Sequence, residues 1–421
     1  MRALMLMLTL GLSCYLGTGK AQQLEVGVAK RIITPNPLLP VSGGIGKPSP
    51  VTQKLGELYA RAIVLVKDSV KVAIVNMDNL GWPAVLGDKS RALIPHIPAD
   101  HILIGATHTH SAPDAYGFPD ENGVHHANLA YLDSCVVWIA QAVNEAYENR
   151  QPAGLRIATG KALGKIAFNY YAEDLYDPRC GVIQAISLRD SIPGGVIATL
   201  VNYAIHPEVL GADRGVLSPD LCGPLYDHIE EQTGGMALFM NGALGGMVTA
   251  DNRDSTGKSI GTWEECERIG TQLASEALRI ISDAPIVKSP QLRIYTQTIS
   301  FPIESPMMQT IMELSPLGYE GEDFSQISTR LNLMILGNAK LLSIPGEALP
   351  NIGYFLKRKM DTHHPFLLGL TQDAFGYILS PEDYNSFEKY AYITRTSLGE
   401  NTGKILITEA LKMLAHAKEM D

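Results

Sequence analysis

The run Ile102-Leu103-Ile104-Gly105-Ala106-Thr107-His108-Thr109-His110-Ser111-Ala112-Pro113 constrains this chain more than any other stretch. Aliphatic residues lead into small ones, two histidines follow two apart, and a proline ends regular structure. On an extended segment residues i and i+2 share a face, so His108 and His110 are expected to converge at a strand's end. Imidazole is the commonest side-chain metal ligand, and sites gather on loops where strands finish. An isolated His-x-His is also a common surface feature, so its meaning depends on where the other strands end.

Those strands repeat the pattern. Val196 to Val201 runs into Asn202-Tyr203-Ala204-Ile205-His206-Pro207, residues 340–344 into Pro345-Gly346-Glu347, and Phe366 to Leu370 into Phe375-Gly376-Tyr377. Each is an apolar strand followed by a polar residue beside glycine or proline. A shared strand end would gather two imidazoles, a carboxylate and a phenol, a donor set that suits Zn2+. Taken singly, His206 reads as a turn residue, Glu347 as an acid favoured near a helix start, and Tyr377 as a core aromatic.

Further strands are expected at 24–33, 60–66, 71–76, 155–162, 181–189, 236–240, 291–302 and 331–343. Helical spacing covers 89–97, 131–147, 219–232, 264–281, 349–360 and 403–418. This mixture predicts an α/β fold: a single layered domain over 22–421, its mixed β-sheet flanked by helices and its metal site at strand ends. The sequence shows no internal repeat and no linker. With 46% apolar residues, 39 Gly and 25 Pro in 421, the composition is globular and turn-rich. A net charge of −10 without a long basic run argues against nucleic acid or an anionic membrane as partner.

Met1-Arg2, the apolar Ala3 to Leu16 and the small-residue Gly17 to Ala21 read as a secretory leader over 1–21, cleaved after Ala21. The apolar part is too short to span a bilayer, so a secreted or periplasmic protein with no stable membrane span is expected. Cys14, preceded by Gly11-Leu12-Ser13, offers the lesser lipoprotein reading. Cys135, Cys180, Cys222 and Cys266 form no Cys-x-x-Cys pair, which argues against thiolate zinc.

Five segments then occur in order: Gly-Ala-Thr-His-Thr-His-Ser-Ala-Pro (105–113), Asn-Tyr-Ala-Ile-His-Pro (202–207), Asn-Gly-Ala-Leu-Gly-Gly (241–246), Pro-Gly-Glu (345–347) and Phe-Gly-Tyr-Ile-Leu-Ser-Pro-Glu-Asp-Tyr (375–384). Together they resemble the successive motifs of the neutral/alkaline, non-lysosomal ceramidase family. Gly27-Val28-Ala29-Lys30, Ile33-Thr34-Pro35 and Leu58-Tyr59-Ala60-Arg61-Ala62 resemble its N-terminal signatures. The resemblance runs from about residue 25 to the C terminus and covers the family's catalytic domain, not its immunoglobulin-like C-terminal domain. It implies a zinc amidohydrolase that cleaves the N-acyl bond of a sphingoid base, with a small-molecule or lipid substrate. Matched by position, the zinc ligands would be His108, His206, Glu347 and Tyr377. His110 would handle the proton of the leaving amine, and Tyr377 or Tyr384 would help stabilise the oxyanion. Asn241 and Asp220 are candidate substrate contacts. Asp220, in Ser218-Pro219-Asp220, also reads as an acid at a helix start.

The chain departs from the family at one motif. Ceramidases have Gly-Asp-Val-Ser-Pro where this sequence has Gly245-Gly246-Met247-Val248-Thr249. A mechanism built on that serine has no residue here, whereas zinc hydrolysis does not need it. The substrate therefore stays open between an N-acyl lipid and another linkage, such as a sugar N-acetyl, ester or glycosidic bond. A non-catalytic lipid or glycan binder is the third reading. No phosphate-binding loop, dinucleotide fingerprint or Gly-x-Ser-x-Gly elbow is present in the sequence, which argues against nucleotide cofactors and serine-esterase chemistry.

Overall fold

The computed structural model describes residues 23–189, 194–319 and 324–420; the leader expected at 1–21 lies outside them. Twelve long strands form two sheets. The first contains β1 (Glu25–Ile32), β2 (Tyr59–Lys67), β3 (Val70–Met77), β4 (Ile102–Ala106), β5 (Gln151–Lys161), β6 (Arg179–Ser187), β7 (Val196–Tyr203) and β8 (Met236–Asn241). Its spatial order is β8-β7-β6-β5-β1-β2-β3-β4. The second has β9 (Leu292–Pro302), β10 (Gln326–Leu336), β11 (Ala339–Ser343) and β12 (His364–Leu368), in that order.

The eight-stranded sheet is two four-stranded halves joined by two residue pairs, Glu25 with Pro152 and Val26 with Gln151. Each half, and the second sheet, has one plan: three antiparallel strands, a helix, then a fourth strand parallel to the third. The parallel pairs are β3 with β4, β7 with β8, and β11 with β12. The crossover helices are α1 (Ala84–Ala92), α3 (Cys222–Thr233) and α6 (Pro350–Lys359). A longer helix follows each unit: α2 (Leu129–Glu148), α4 (Trp263–Ile281) and α8 (Thr402–Glu419). The shorter α5 (Pro306–Leu314) and α7 (Ala391–Arg395) lie within the third unit. A repeat absent from the residue sequence is thus present in the pairing order.

Alternation decides the packing. Inward side chains of all three units, among them Leu65, Ile74, Leu103, Ile157, Leu200, Met240, Leu341 and Phe366, form one shared core. Outward side chains meet the helices: α2 on the first unit, α3 and α4 on the second, α6 and α8 on the third. The α4 sequence shows how such a face is written. Thr262 caps it by accepting from the Glu265 amide, and Cys266, Ile269, Leu273, Ala277 and Ile281 are buried at helical spacing.

Two expected elements differ. The strand expected over 331–343 is a hairpin, turned by Gly337 at φ 58°. The helix expected over 89–97 begins earlier, at Ala84 behind Pro83, because proline suits a helix start. All four described cysteines are free and buried. Among the described residues no helix is long and apolar enough to cross a membrane.

Candidate metal centre and substrate pocket

The three parallel pairs point their C-terminal ends at one place, as ligand sites of open α/β sheets do. His108 lies just beyond β4, His206 beyond β7, Asn241 at the end of β8, Glu347 beyond β11, and Tyr377 beyond β12. His108 does not arrive by strand alternation. The chain leaves β4 at Ala106 and His108 takes the left-handed conformation at φ 71°, with its amide donating to Asn79 O at 2.9 Å. A non-glycine residue held there is strained, and such strain collects at functional sites.

His108, His110 and His206 bring one ligand atom each within 4.8 Å of the others. Each outer ring is anchored from behind. His108 Nδ1 donates to Leu80 O at 2.5 Å and His206 Nδ1 to Val248 O at 2.8 Å. That fixes Nε2 of both rings forward, as in metal sites where a carbonyl orients the imidazole. Glu347 Oε2 stands between them, 3.6 Å from His108 Nε2 and 3.1 Å from His206 Nε2. Gly245 makes this approach feasible: a Cβ there would lie 2.1 Å from Glu347 O. His110 Nδ1 lies 3.4 Å from Glu208 Oε2, and its buried Nε2 has no partner.

Asn241 holds the two histidine loops together. Its Nδ2 donates to Thr107 O at 2.9 Å and Ile205 O at 2.8 Å, and its Oδ1 accepts from the Ile205 and Gly242 amides at 3.1 Å. Asp220 is fully buried away from the pocket. Its oxygens accept from the Leu210 amide at 2.9 Å and the Leu221 amide at 2.8 Å, fixing the loop that carries Glu208. Tyr377 lines the pocket with its hydroxyl donating to Met247 Sδ at 3.1 Å. Tyr384 is not brought to this cluster: the carboxylates that bear on it are Glu304 and Glu400.

The electrostatics follow from burial. Burial first of all pulls His108 down to about 3, against the pull of Glu347. Burial and then His206 pull His110 down to about 3. Burial also opposes a charge on His206, yet Glu347, Glu208 and the Val248 carbonyl outweigh it and raise its pKa. For Glu347, burial is outweighed by His108 and His206, so its pKa falls. The forward-facing Nε2 atoms of His108 and His206 and the carboxylate between them fit a divalent metal.

Beside this cluster opens a cavity of about 780 Å3 including its mouth. Leu80, Phe118, Met308, Ile311 and Met312 make its wall apolar, while Tyr116, Asp373 and Tyr392 add polar points. Three of these come from α5, which had a readable signal: Ser305-Pro306 at its start and Met308, Ile311 and Met312 at helical spacing. Glu208, Tyr392 and Asp373 had no motif to mark them, and Met247 was marked only by the departure at 245–249.

No family model and no curated protein sequence matches the chain. Among solved structures, the neutral ceramidase from Pseudomonas aeruginosa aligns with TM-score 0.74 and 16% identity, covering 95% of this chain and 75% of that one. A ceramidase complexed with C2 aligns with TM-score 0.73 and 17% identity, covering 95% and 76%.

Proposed function

We propose that this chain, which carries the neutral ceramidase fold, is an exported zinc-dependent amidohydrolase that cleaves the N-acyl bond of a ceramide-like lipid. The observation that carries this reading is the convergence of two carbonyl-backed imidazoles on Glu347 beside an apolar cavity. The ion would be held by His108 Nε2, His206 Nε2, the Glu347 carboxylate and the Tyr377 hydroxyl, and when bound it supplies Lewis acidity and a water acidified to a pKa of about 7.

The chain's own residues do the rest. Leu80, Phe118 and the α5 side chains receive the acyl chain and exclude water around the amide. Tyr377, with Tyr392 packed edge-on to it at 5.9 Å, offers phenol donors to the developing oxyanion. His110 Nε2, buried and neutral, takes a proton from the attacking water and returns it to the nitrogen as the C–N bond breaks. Val248 stands at the family's serine position and is packed in the core, so proton handling rests on His110.

Zinc per chain, measured with fatty-acid release from short-chain fluorescent ceramide with and without chelator, tests the proposal. One zinc and chelator-sensitive release are expected. One zinc without release would discard ceramide, and a zinc-free protein would remove the metal centre.

A further inference from the structure

The cavity that holds His108, His110, Glu347 and Tyr377 also carries a polar patch in its apolar wall, made by Asp373, Tyr116 and Tyr319. Tyr116 is placed by its backbone. The buried Asp114 carboxylate accepts from the amides of Tyr116 at 2.8 Å, Gly117 at 3.2 Å and Phe118 at 3.2 Å, and the Tyr116 and Phe118 rings stack at 4.5 Å. The Tyr116 hydroxyl rests on Gly81, where a Cβ would lie 2.0 Å from it and 2.9 Å from Ala374 Cβ. Only glycine leaves that space. Gly81 follows Leu80, whose carbonyl holds His108, and Ala374 follows Asp373 in a run to Tyr377 that lines the cavity throughout. The patch is therefore continuous with the metal centre.

Asp373 is 2% exposed; its Oδ1 accepts from the Ala84 amide at 3.1 Å and the Ala374 amide at 3.0 Å, and its Oδ2 has no partner. Thr329, which also bears on this carboxyl, has an unpartnered hydroxyl too. Neither the Tyr116 nor the Tyr319 hydroxyl has a hydrogen bond to the protein among the described residues. Burial first, then Glu347, Tyr319 and Asp373, hold the Tyr116 phenol well above its ordinary pKa, and burial followed by Asp373 does the same for Tyr319. Both phenols therefore keep an O–H to give. Buried polar groups without partners are costly, so a cavity wall carrying three of them points to a ligand that supplies the missing bonds.

We propose that Asp373, Tyr116 and Tyr319 form a hydroxyl-recognising subsite, so that the amide hydrolysed carries a hydroxyl on the first carbons of its acyl chain. The proposal rests on the amidase reading, in which Leu80, Phe118 and α5 receive that chain, and names its substrate class. A hydroxyl donates to Asp373 Oδ2 and accepts from a phenol at once. A carboxylate accepts only and would face Asp373 and Glu347; an ammonium donates only and would lose its water to an apolar wall. A plain hydrocarbon leaves the three groups unpaired, which is how a site made to bond a hydroxyl rejects an analogue that lacks it. The hydrolysis itself is unchanged: the hydroxyl of water goes to the acyl carbon, the C–N bond breaks, the nitrogen takes the proton, and a hydroxy acid is released.

Two measurements on the full-length zinc-loaded protein test this. The first compares kcat/KM for N-hexanoyl sphingosine with its 2-hydroxyhexanoyl and 3-hydroxyhexanoyl forms. The better hydroxylated form should exceed the plain one about tenfold, and Tyr116→Phe combined with Tyr319→Phe, which keeps both rings and their packing, should lower that ratio at least about threefold. The second measures the Kd of 2-hydroxyoctanamide and 3-hydroxyoctanamide against octanamide, where the same preference and the same loss are expected whatever the turnover. Preferred binding of a hydroxy amide without cleavage of any of the lipids would leave the subsite standing and sink the amidase reading. Cleavage with no preference for a hydroxyl, or a preference that the double variant keeps in either measurement, would overturn the subsite.

Discussion

At the scale of single residues, Asn241 ties the two histidine loops of the cluster together. Its amide bridges Thr107 and Ile205, each next to a histidine of the cluster. Asn241→Ala leaves buried carbonyls and an amide unpaired, at about 1–3 kcal/mol for each such group. Lost ring placement should also weaken zinc binding about 10–100-fold, in line with other outer-shell changes. Chelator competition and thermal melts would show both effects; an unchanged zinc affinity would reduce Asn241 to a structural role. His108→Ala and Glu347→Ala go further and should abolish stoichiometric zinc and hydrolysis together, and retained turnover in either would sink the zinc scheme. Asp373 carries a different expectation. Burial, opposed by amide donors from Ala84 and Ala374, raises its pKa to about 7, and its Oδ2 has no partner. A carboxyl whose folded pKa exceeds its unfolded value binds its proton more tightly when folded. Its stabilising contribution is present near pH 4 and is lost as pH rises toward 7. Asp373→Asn keeps an oxygen for both amides and should flatten the stability slope in that window by about 1.4 kcal/mol per pH unit. Urea titrations of both proteins at pH 4.5, 5.5 and 6.5 would read the difference, and parallel slopes would refute it.

At the scale of elements, α5 decides what the apolar cavity accepts. Met308, Ile311 and Met312 share the helix face that lines it, so under the proposed function the length of acyl chain received would depend on one surface. Met312→Trp should cut kcat/KM for a sixteen-carbon acyl chain about tenfold relative to a six-carbon one. Each methylene kept from its apolar site costs about 0.8 kcal/mol. A uniform loss across chain lengths would place the acyl chain elsewhere. The strands carrying His108, His206, Glu347 and Tyr377 were legible because buried parallel strands read as continuous apolar runs. What lay beyond them was not. Glu208 reaches His110 only because the loop after Pro207 folds back, tied down by Asp220, and nothing local in the sequence encodes that return. Tyr384 sits in the motif that also holds Tyr377, yet the turn between them sends the two phenols to different surroundings. His108 was placed correctly at a strand end, but by a left-handed turn that period-two alternation does not describe.

At the scale of the whole molecule, the threefold plan of strands and helices assigns one part of the centre to each unit. The first supplies His108 and His110, the second His206 and Asn241, the third Glu347 and Tyr377. Units built on one plan need no shared sequence, because the plan is set by pairing order and apolar pattern rather than by residue identity. A metal at their meeting point would cross-link strand ends from all three, and binding to the folded state alone adds stability by mass action. At free zinc a thousandfold above Kd the gain is about 4 kcal/mol. With an unfolding entropy of about 2.1 cal/mol/K per residue, that corresponds to a rise of about 5 °C in Tm for a chain of this size. Calorimetry should show that rise in the parent protein, its loss with chelator, and no zinc response in His108→Ala. An equal shift in the variant would mean that the metal binds outside this cluster, and the three units would then be held together by their shared apolar core alone.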